Sequence, residues 1–188
     1  MAVLASAGCQ VARVEQSVVG TLPADPVEAQ MEFWHQLAER PLTSNDDALH
    51  GLLLYLDGED PHADYAGRVA TLKSRGLLPE DFAAPADEAV QRGVLAVALV
   101  QAIDEKGGLM LRLLGPTPRY ATRELYYKGL YPPSTPRQTF SGAEFVGIIG
   151  RIEDYQRGNP NDRPASELPG GSDEPAADAT PPAATQPQ

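Results

Sequence analysis

ATLKSRGLLP (Ala70–Pro79) and RELYYKGLYP (Arg123–Pro132) carry the same residue at four places: Leu72 with Leu125, Gly76 with Gly129, Leu77 with Leu130 and Pro79 with Pro132. A glycine after a stretch of helical period, followed by an apolar residue and a proline, marks the end of a helix. A second pair follows each block. In VQRGVLAVALVQAI (Val90–Ile103) and TFSGAEFVGIIGRI (Thr139–Ile152), Gly93 meets Gly142, and Ala96, Leu99, Val100 and Ile103 meet Phe145, Ile148, Ile149 and Ile152. The offset is 53 in the first pair and 49 in the second, so only the connecting loop has changed length. An earlier helix joins at an offset of 96, where Leu49, Gly51, Leu52, Leu53 and Leu56 meet Phe145, Gly147, Ile148, Ile149 and Ile152. The unit is helix, Gly-Leu turn, loop, helix, present about three times. The expected fold is therefore mainly α: tandem helix–loop–helix repeats packed as a compact bundle, with little or no strand.

The punctuation between these blocks predicts six helices. Asp25-Pro26 opens one that carries Met31, Trp34 and Leu37 and stops at Pro41. Thr43 or Ser44 caps the next, which ends at Gly58. Asp60-Pro61 repeats the opening signal for a helix with Tyr65, Val69 and Leu72, closing at Gly76. A long apolar helix follows Pro85-Ala86-Asp87 and runs through Leu95, Leu99 and Ile103 to Gly107. Thr117-Pro118 opens a helix that ends at Gly129. Ser141-Gly142-Ala143-Glu144 is a capping box, in which the hydroxyl and the carboxylate satisfy each other's backbone amides. Leu109–Leu114 (LMLRLL) reads equally as a short strand or a buried helical turn, and the loops Leu77–Pro85 and Leu130–Phe140 have room for a bridge or two of β-structure.

Both ends differ from this middle. From Arg157 to Gln188 the chain has seven prolines in 32 residues and one large apolar side chain, Leu168. Such a segment buries too little surface to offset the entropy of ordering, so 157–188 reads as a disordered tail rich in Pro, Ala and Asp. Met1–Gln10 (MAVLASAGCQ) is small and apolar up to Cys9, the only cysteine. It resembles the end of a bacterial lipoprotein signal peptide, in which small residues precede a cysteine that is lipidated; Ala7, Gly8 and Cys9 fit, whereas Ser6 stands where Leu is usual and no basic region precedes it. The competing reading is an unstructured N-terminus with an incidental cysteine. The expected division is a signal remnant and tether at 1–25, the helical domain at 26–156 and the tail at 157–188.

The Lys128-Gly129-Leu130 and Arg75-Gly76-Leu77 turns, with SGAEF (Ser141–Phe145), make the chain resemble the S-layer homology family across residues 43–155. That family's unit has a helix, a Gly-Ile-type turn, a loop ending near a Thr-Arg-Ala-Glu signature, and a second helix. The family's arginine falls at Gly142, and at Gly93 in the preceding unit. The resemblance implies non-covalent attachment to cell-wall glycopolymer, with the signature positions contributing to binding, and a location in the cell envelope.

Composition narrows the rest. There are 26 acidic against 15 basic residues in 188, a net charge of −11, which repels phosphate backbones and argues against a nucleic-acid partner. A single cysteine excludes an internal disulfide and a multi-cysteine zinc site. His35, His50 and His62 lie in separate segments without metal-ligand spacing, so neither a metal nor another cofactor is expected. Asp46-Asp47 precedes a helix and is explained by complementarity to the helix dipole. The densest chemistry lies at 119–131, where Arg119, Tyr120, Arg123, Tyr126, Tyr127, Lys128 and Tyr131 collect four of the seven tyrosines. On a helix, Arg119, Arg123 and Tyr126 share one face, as do Tyr120 and Tyr127. Arginine forks suit carboxylates, and tyrosine rings suit sugar faces or a partner's surface. The plainer reading has the rings packing between repeats and the arginines pairing with nearby acids. Two functions follow from these residues. One is a non-enzymatic envelope protein, held at the membrane if Cys9 carries lipid, that binds cell-wall glycopolymer or an envelope protein. The other is an enzyme acting on envelope polysaccharide with carboxylates brought together only by folding.

Overall fold

The computed structural model describes residues 12–103 and 117–158. Among them are a 3-10 turn at Val19–Thr21 and six α-helices: α1 (Pro26–Ala38), α2 (Asn45–Asp57), α3 (Tyr65–Ser74), α4 (Arg92–Ala102), α5 (Pro118–Tyr127) and α6 (Gly142–Gly158). The mainly α bundle expected from the repeats is what forms, and among the described residues it has isolated bridges but no sheet.

Local signals set most helix starts. Asp25 accepts hydrogen bonds from the amides of Val27 and Glu28, with Pro26 at the first helical position. Ser44 caps α2 and Gly58 ends it at φ 77°. At α6 the Ser141 N–H donates to Glu144 Oε2 at 3.0 Å and the Glu144 N–H donates to Ser141 Oγ at 3.2 Å, closing the capping box. Two starts differ from expectation. Asp64, not Asp60, caps α3, accepting from the Gly67 amide, because Asp60 is drawn into a buried ion cluster. The fourth helix begins at Arg92, not after Asp87, because Ala89 and Gln91 first bridge to Ser44 and Thr139. The expected run to Gly107 and the Leu109–Leu114 segment lie outside the described residues.

The second and third units share their turn bond for bond. Gly76 and Gly129 have φ 72° and 73°. The Leu77 and Leu130 amides donate to the Leu72 and Leu125 carbonyls, each at 2.9 Å, and the next amides, of Leu78 and Tyr131, donate to the same carbonyls at 3.3 and 3.1 Å. The first unit passes from α1 to α2 through Glu39–Ser44 without a left-handed glycine. Equivalence of the second helices is set by their first intrahelical bonds: Ala48 to Ser44, Leu95 to Gln91 and Phe145 to Ser141. Counted from these caps, Gln91 and Ser141 are 50 apart, one more than the apolar matching indicated, so Ile148 stands over Ala98 and Ile149 over Leu99. Leu99 and Ile148 are both fully buried.

The units interlock instead of stacking. The principal pairings between units join α2 to α3, α4 to α5 and α6 to α1, so each second helix lies on the next unit's first helix and the third unit closes onto the first. The capping segments meet along this ring. The Val90 amide donates to Thr43 O, Thr43 to Phe140 O, Arg92 to Gln138 O and Gly142 to Arg40 O. Phe33, Leu52, Leu99, Phe140, Phe145 and Ile148 fill the space between.

The packed domain starts well before residue 26. The Ala89 amide donates to Ala12 O at 2.9 Å, the Val14 amide to Asp87 O at 2.8 Å, and Val18 is fully buried. Ser17 Oγ and the Val19 amide both donate to Asp47 Oδ1, at 2.8 and 3.1 Å. Residues 12–25 are thus part of the domain and not a tether, and Arg157 and Gly158 belong to α6. Cys9 and residues 159–188 lie outside the described residues.

Candidate binding face

The α5 helix buries Ala121, Thr122 and Leu125 and turns the residues between them outward. Arg119 and Arg123 are exposed, as are Tyr126 (45%) and Tyr127 (65%). Arg123 lies over Tyr127, its guanidinium carbon 5.2 Å from the ring centroid, and its Nε and Nη2 donate to the Tyr127 hydroxyl at 3.0 and 2.7 Å. That clamp orients the guanidinium without neutralising it. Neither Arg119 nor Arg123 meets a carboxylate among the described residues. Among the other arginines, Arg13 pairs with Asp87, Arg75 with Asp57 and Arg92 with Glu144. The other two expected members are inward. Tyr120 is half-buried against the core. Tyr131 is 3% exposed, packs edge-on against Phe140 and donates its hydroxyl to Arg92 O at 3.3 Å, so it offers no ring to a ligand. Burial pushes its phenol well above the usual range.

Gly142 and Gly93, at the starts of the two matched helices, have structural work. A Cβ on Gly142 would lie 1.5 Å from the Leu37 carbonyl oxygen, and one on Gly93 would lie 2.7 and 2.8 Å from Pro118 and Pro136. No arginine fits either place, because both glycines seat a helix start against a neighbouring backbone or proline. Counting from the caps, the residue equivalent to Gly142 is Arg92, not Gly93. Its guanidinium donates to Glu144 Oε1 at 2.6 Å and to Thr139 O at 3.0 Å and lies over the Phe140 ring, tying the second unit to the third. Burial works to raise the Glu144 carboxyl, but the Ser141 amide and Arg92 outweigh it and hold it below the usual carboxylate range.

A second ionic cluster lies between α2 and α3. The Asp60 carboxylate is fully buried; it accepts from His50 Nδ1 at 2.6 Å, from Arg68 Nε and from the His62 amide at 3.0 Å. Arg68 also donates to Asp46 at 2.7 Å and to His62 O at 3.0 Å. Burial opposes ionisation of Asp60, yet these donors bring its pKa down to about 2. Asp46 therefore does more than complement the helix dipole. His35 stands on the surface of α1, 3.9 Å from Glu39. Among the described residues no three His, Cys, Asp or Glu side chains are placed to hold a metal ion, and no helix is long and apolar enough to cross a membrane.

Of the residues singled out in sequence, the fold gathers Arg119, Arg123, Tyr126 and Tyr127 on one outer face and sends Tyr120 and Tyr131 inward. Arg92 escaped notice because a lone arginine next to a glycine carries no motif. The chain matches no protein-family model and none of the curated proteins with which it was compared.

Proposed function

We propose that this chain is a non-enzymatic module of the bacterial cell envelope that binds cell-wall glycan through the outer face of α5. The observation that carries the reading is the pairing of Arg119 and Arg123, free of carboxylate partners among the described residues, with the exposed rings of Tyr126 and Tyr127. Two exposed cations, one of them held by Tyr127, in a chain of net charge −11 suit acidic groups on a polymer, and flat rings beside them suit sugar faces. The resemblance to S-layer homology repeats supports the same task, although the signature positions themselves are spent on packing. Lipidation at Cys9 would hold the module at the membrane.

Retention of the full chain on purified cell-wall fractions, against retention on an envelope protein extract, tests this. The Arg119→Ala/Arg123→Ala variant is expected to lose about tenfold in retention, ~1.4 kcal/mol, with unchanged helix content by circular dichroism. Equal retention of variant and parent, or capture by the protein extract alone, rejects the glycan. Mass spectrometry of the native protein tests the anchor: an unmodified Met1 in the cytoplasmic fraction removes it and the envelope location together.

A further inference from the structure

A groove of about 250 Å³ opens between α1, α2 and α6, where the third unit meets the first. Its walls are apolar: Trp34, Leu54, Val146 and Ile149. The indole is fixed from behind, with the Phe33 ring edge-on at 4.9 Å and the Phe145 ring nearly parallel at 6.5 Å. Gln30, Tyr55 and Glu153 supply the polar rim, and Glu153 is the only charged residue in the lining. Tyr55 donates its hydroxyl hydrogen to Gln156 Oε1 at 2.6 Å, and burial, aided by the Glu153 charge, pushes its phenol up to about 12, so it stays neutral. The Glu153 side chain is 49% exposed; Arg157, one turn on, comes within 3.8 Å of it but makes its close bond to Asp154 at 2.8 Å. Gly150 also lines the groove, and a Cβ there would meet nothing within 4 Å.

This lining selects its ligand by chemistry. An anion is repelled by Glu153. A sugar ring needs partners for several hydroxyls, and Leu54, Val146 and Ile149 offer only hydrocarbon. A purely apolar group would desolvate the carboxylate without compensation. What satisfies every part is a slender apolar stem ending in a cation, in which the stem lies along Trp34 and the head meets Glu153. The surface continues beyond the groove. Val27 and Met31, 70% and 73% exposed, lie on the same face of α1 as Gln30 and Trp34 at helical spacing. A free amine would leave them uncovered, whereas apolar residues flanking a lysine in a peptide would cover them.

We propose that this groove is a docking site for a partner protein's peptide segment, taking one lysine side chain between Trp34 and Ile149 with its ammonium on Glu153. The net charge of −11 favours the approach of such a basic segment. The site is separate from the α5 face, so the fate of one proposal does not decide the other.

Trp34 is the only tryptophan, so its fluorescence, excited beyond the tyrosine absorption band, reports on this groove. A capped Leu-Lys-Leu peptide is expected to change it saturably, and the same peptide with norleucine for lysine to bind about tenfold or more weaker. Glu153→Gln should weaken the lysine peptide by a similar factor. Gly150→Leu should abolish binding while circular dichroism shows the fold intact, since the new side chain enters open space; if that variant loses its fold, the rim substitution still decides. Equal affinity for the norleucine peptide, an unchanged affinity in Glu153→Gln, saturation by a methyl glycoside instead of the peptide, or no saturable change each overturns the proposal.

Discussion

A methyl group at Gly142 would meet the Leu37 carbonyl oxygen at 1.5 Å, and backbone cannot yield as a flexible side chain does. Gly142→Ala is therefore expected to lose ~3 kcal/mol or more in urea denaturation, at the upper end of overpacking costs. Gly147→Ala, five residues along the same helix, meets only Arg151 Nη1 at 3.6 Å and is expected to be neutral or to gain ~0.5–1 kcal/mol. Asp60 yields a pH prediction. Its donors hold its carboxyl down at about 2 in the fold, below the usual 3.8. The folded value is depressed, so the stabilisation is complete above the unfolded value and disappears as pH falls through about 4 towards 2. The loss is ~2 kcal/mol. Asp60→Asn should flatten thermal stability between pH 5 and 2 relative to the parent. Neither residue announced its role in sequence. Asp60 beside Pro61 carries the signature of a helix start, and only the placement of His50 and Arg68 around it shows an ion cluster.

Turns and caps account for the elements, and the matched pair of left-handed glycines, Gly76 and Gly129, is the strongest case. Gly76 and Gly129 have open space around them, so replacing either with alanine costs only the strained φ, ~1–2 kcal/mol, and the two losses should match. Unequal losses in chemical denaturation would argue that the turns are not equivalent. Leu99→Ala and Ile148→Ala, both at fully buried positions, should each cost ~2–5 kcal/mol by the same measurement. Asp25, Ser44 and the Ser141–Glu144 box were legible because capping is local: the side chain bonds to amides two or three residues away. The start of α4 was not. Gln91 makes no side-chain cap bond, and extended pairing with the Thr43–Ser44 and Gln138–Thr139 segments holds the chain out of helix until Arg92. Apolar matching also placed α4 and α6 one residue out of register, because α4 is buried around most of its circumference and so meets the apolar stripe of α6 at either offset.

At the scale of the whole molecule, closure of three units into a ring puts both ends of the order to use. The N-terminal segment covers the start of α2 through Val18, Ser17 and Val19, and it bridges to Glu88 through Arg13. A chain starting at residue 23 is expected to have a thermal midpoint several degrees below that of one starting at residue 12; a ~1 kcal/mol loss moves a domain of this size by ~2–4 °C. Equal midpoints for the two truncations would show the segment to be dispensable. Closure also leaves room for hydrogen only at Gly142, where α6 meets α1, while Arg92 joins the second unit to the third.

The sequence by itself determined the helical class, the repeated turn, most caps and the local density of Arg and Tyr along α5, since each depends on contacts within a few residues of chain. Only the tertiary structure decided which of those tyrosines face outward, that Asp60 and Arg68 form a buried cluster, that residues 12–25 belong to the domain, and that Trp34 borders a groove shared with α2 and α6. Those outcomes rest on side chains far apart in sequence meeting across the ring. Burial and hydrogen-bond pairing at such meetings are properties of the closed assembly of helices, and no local pattern encodes them.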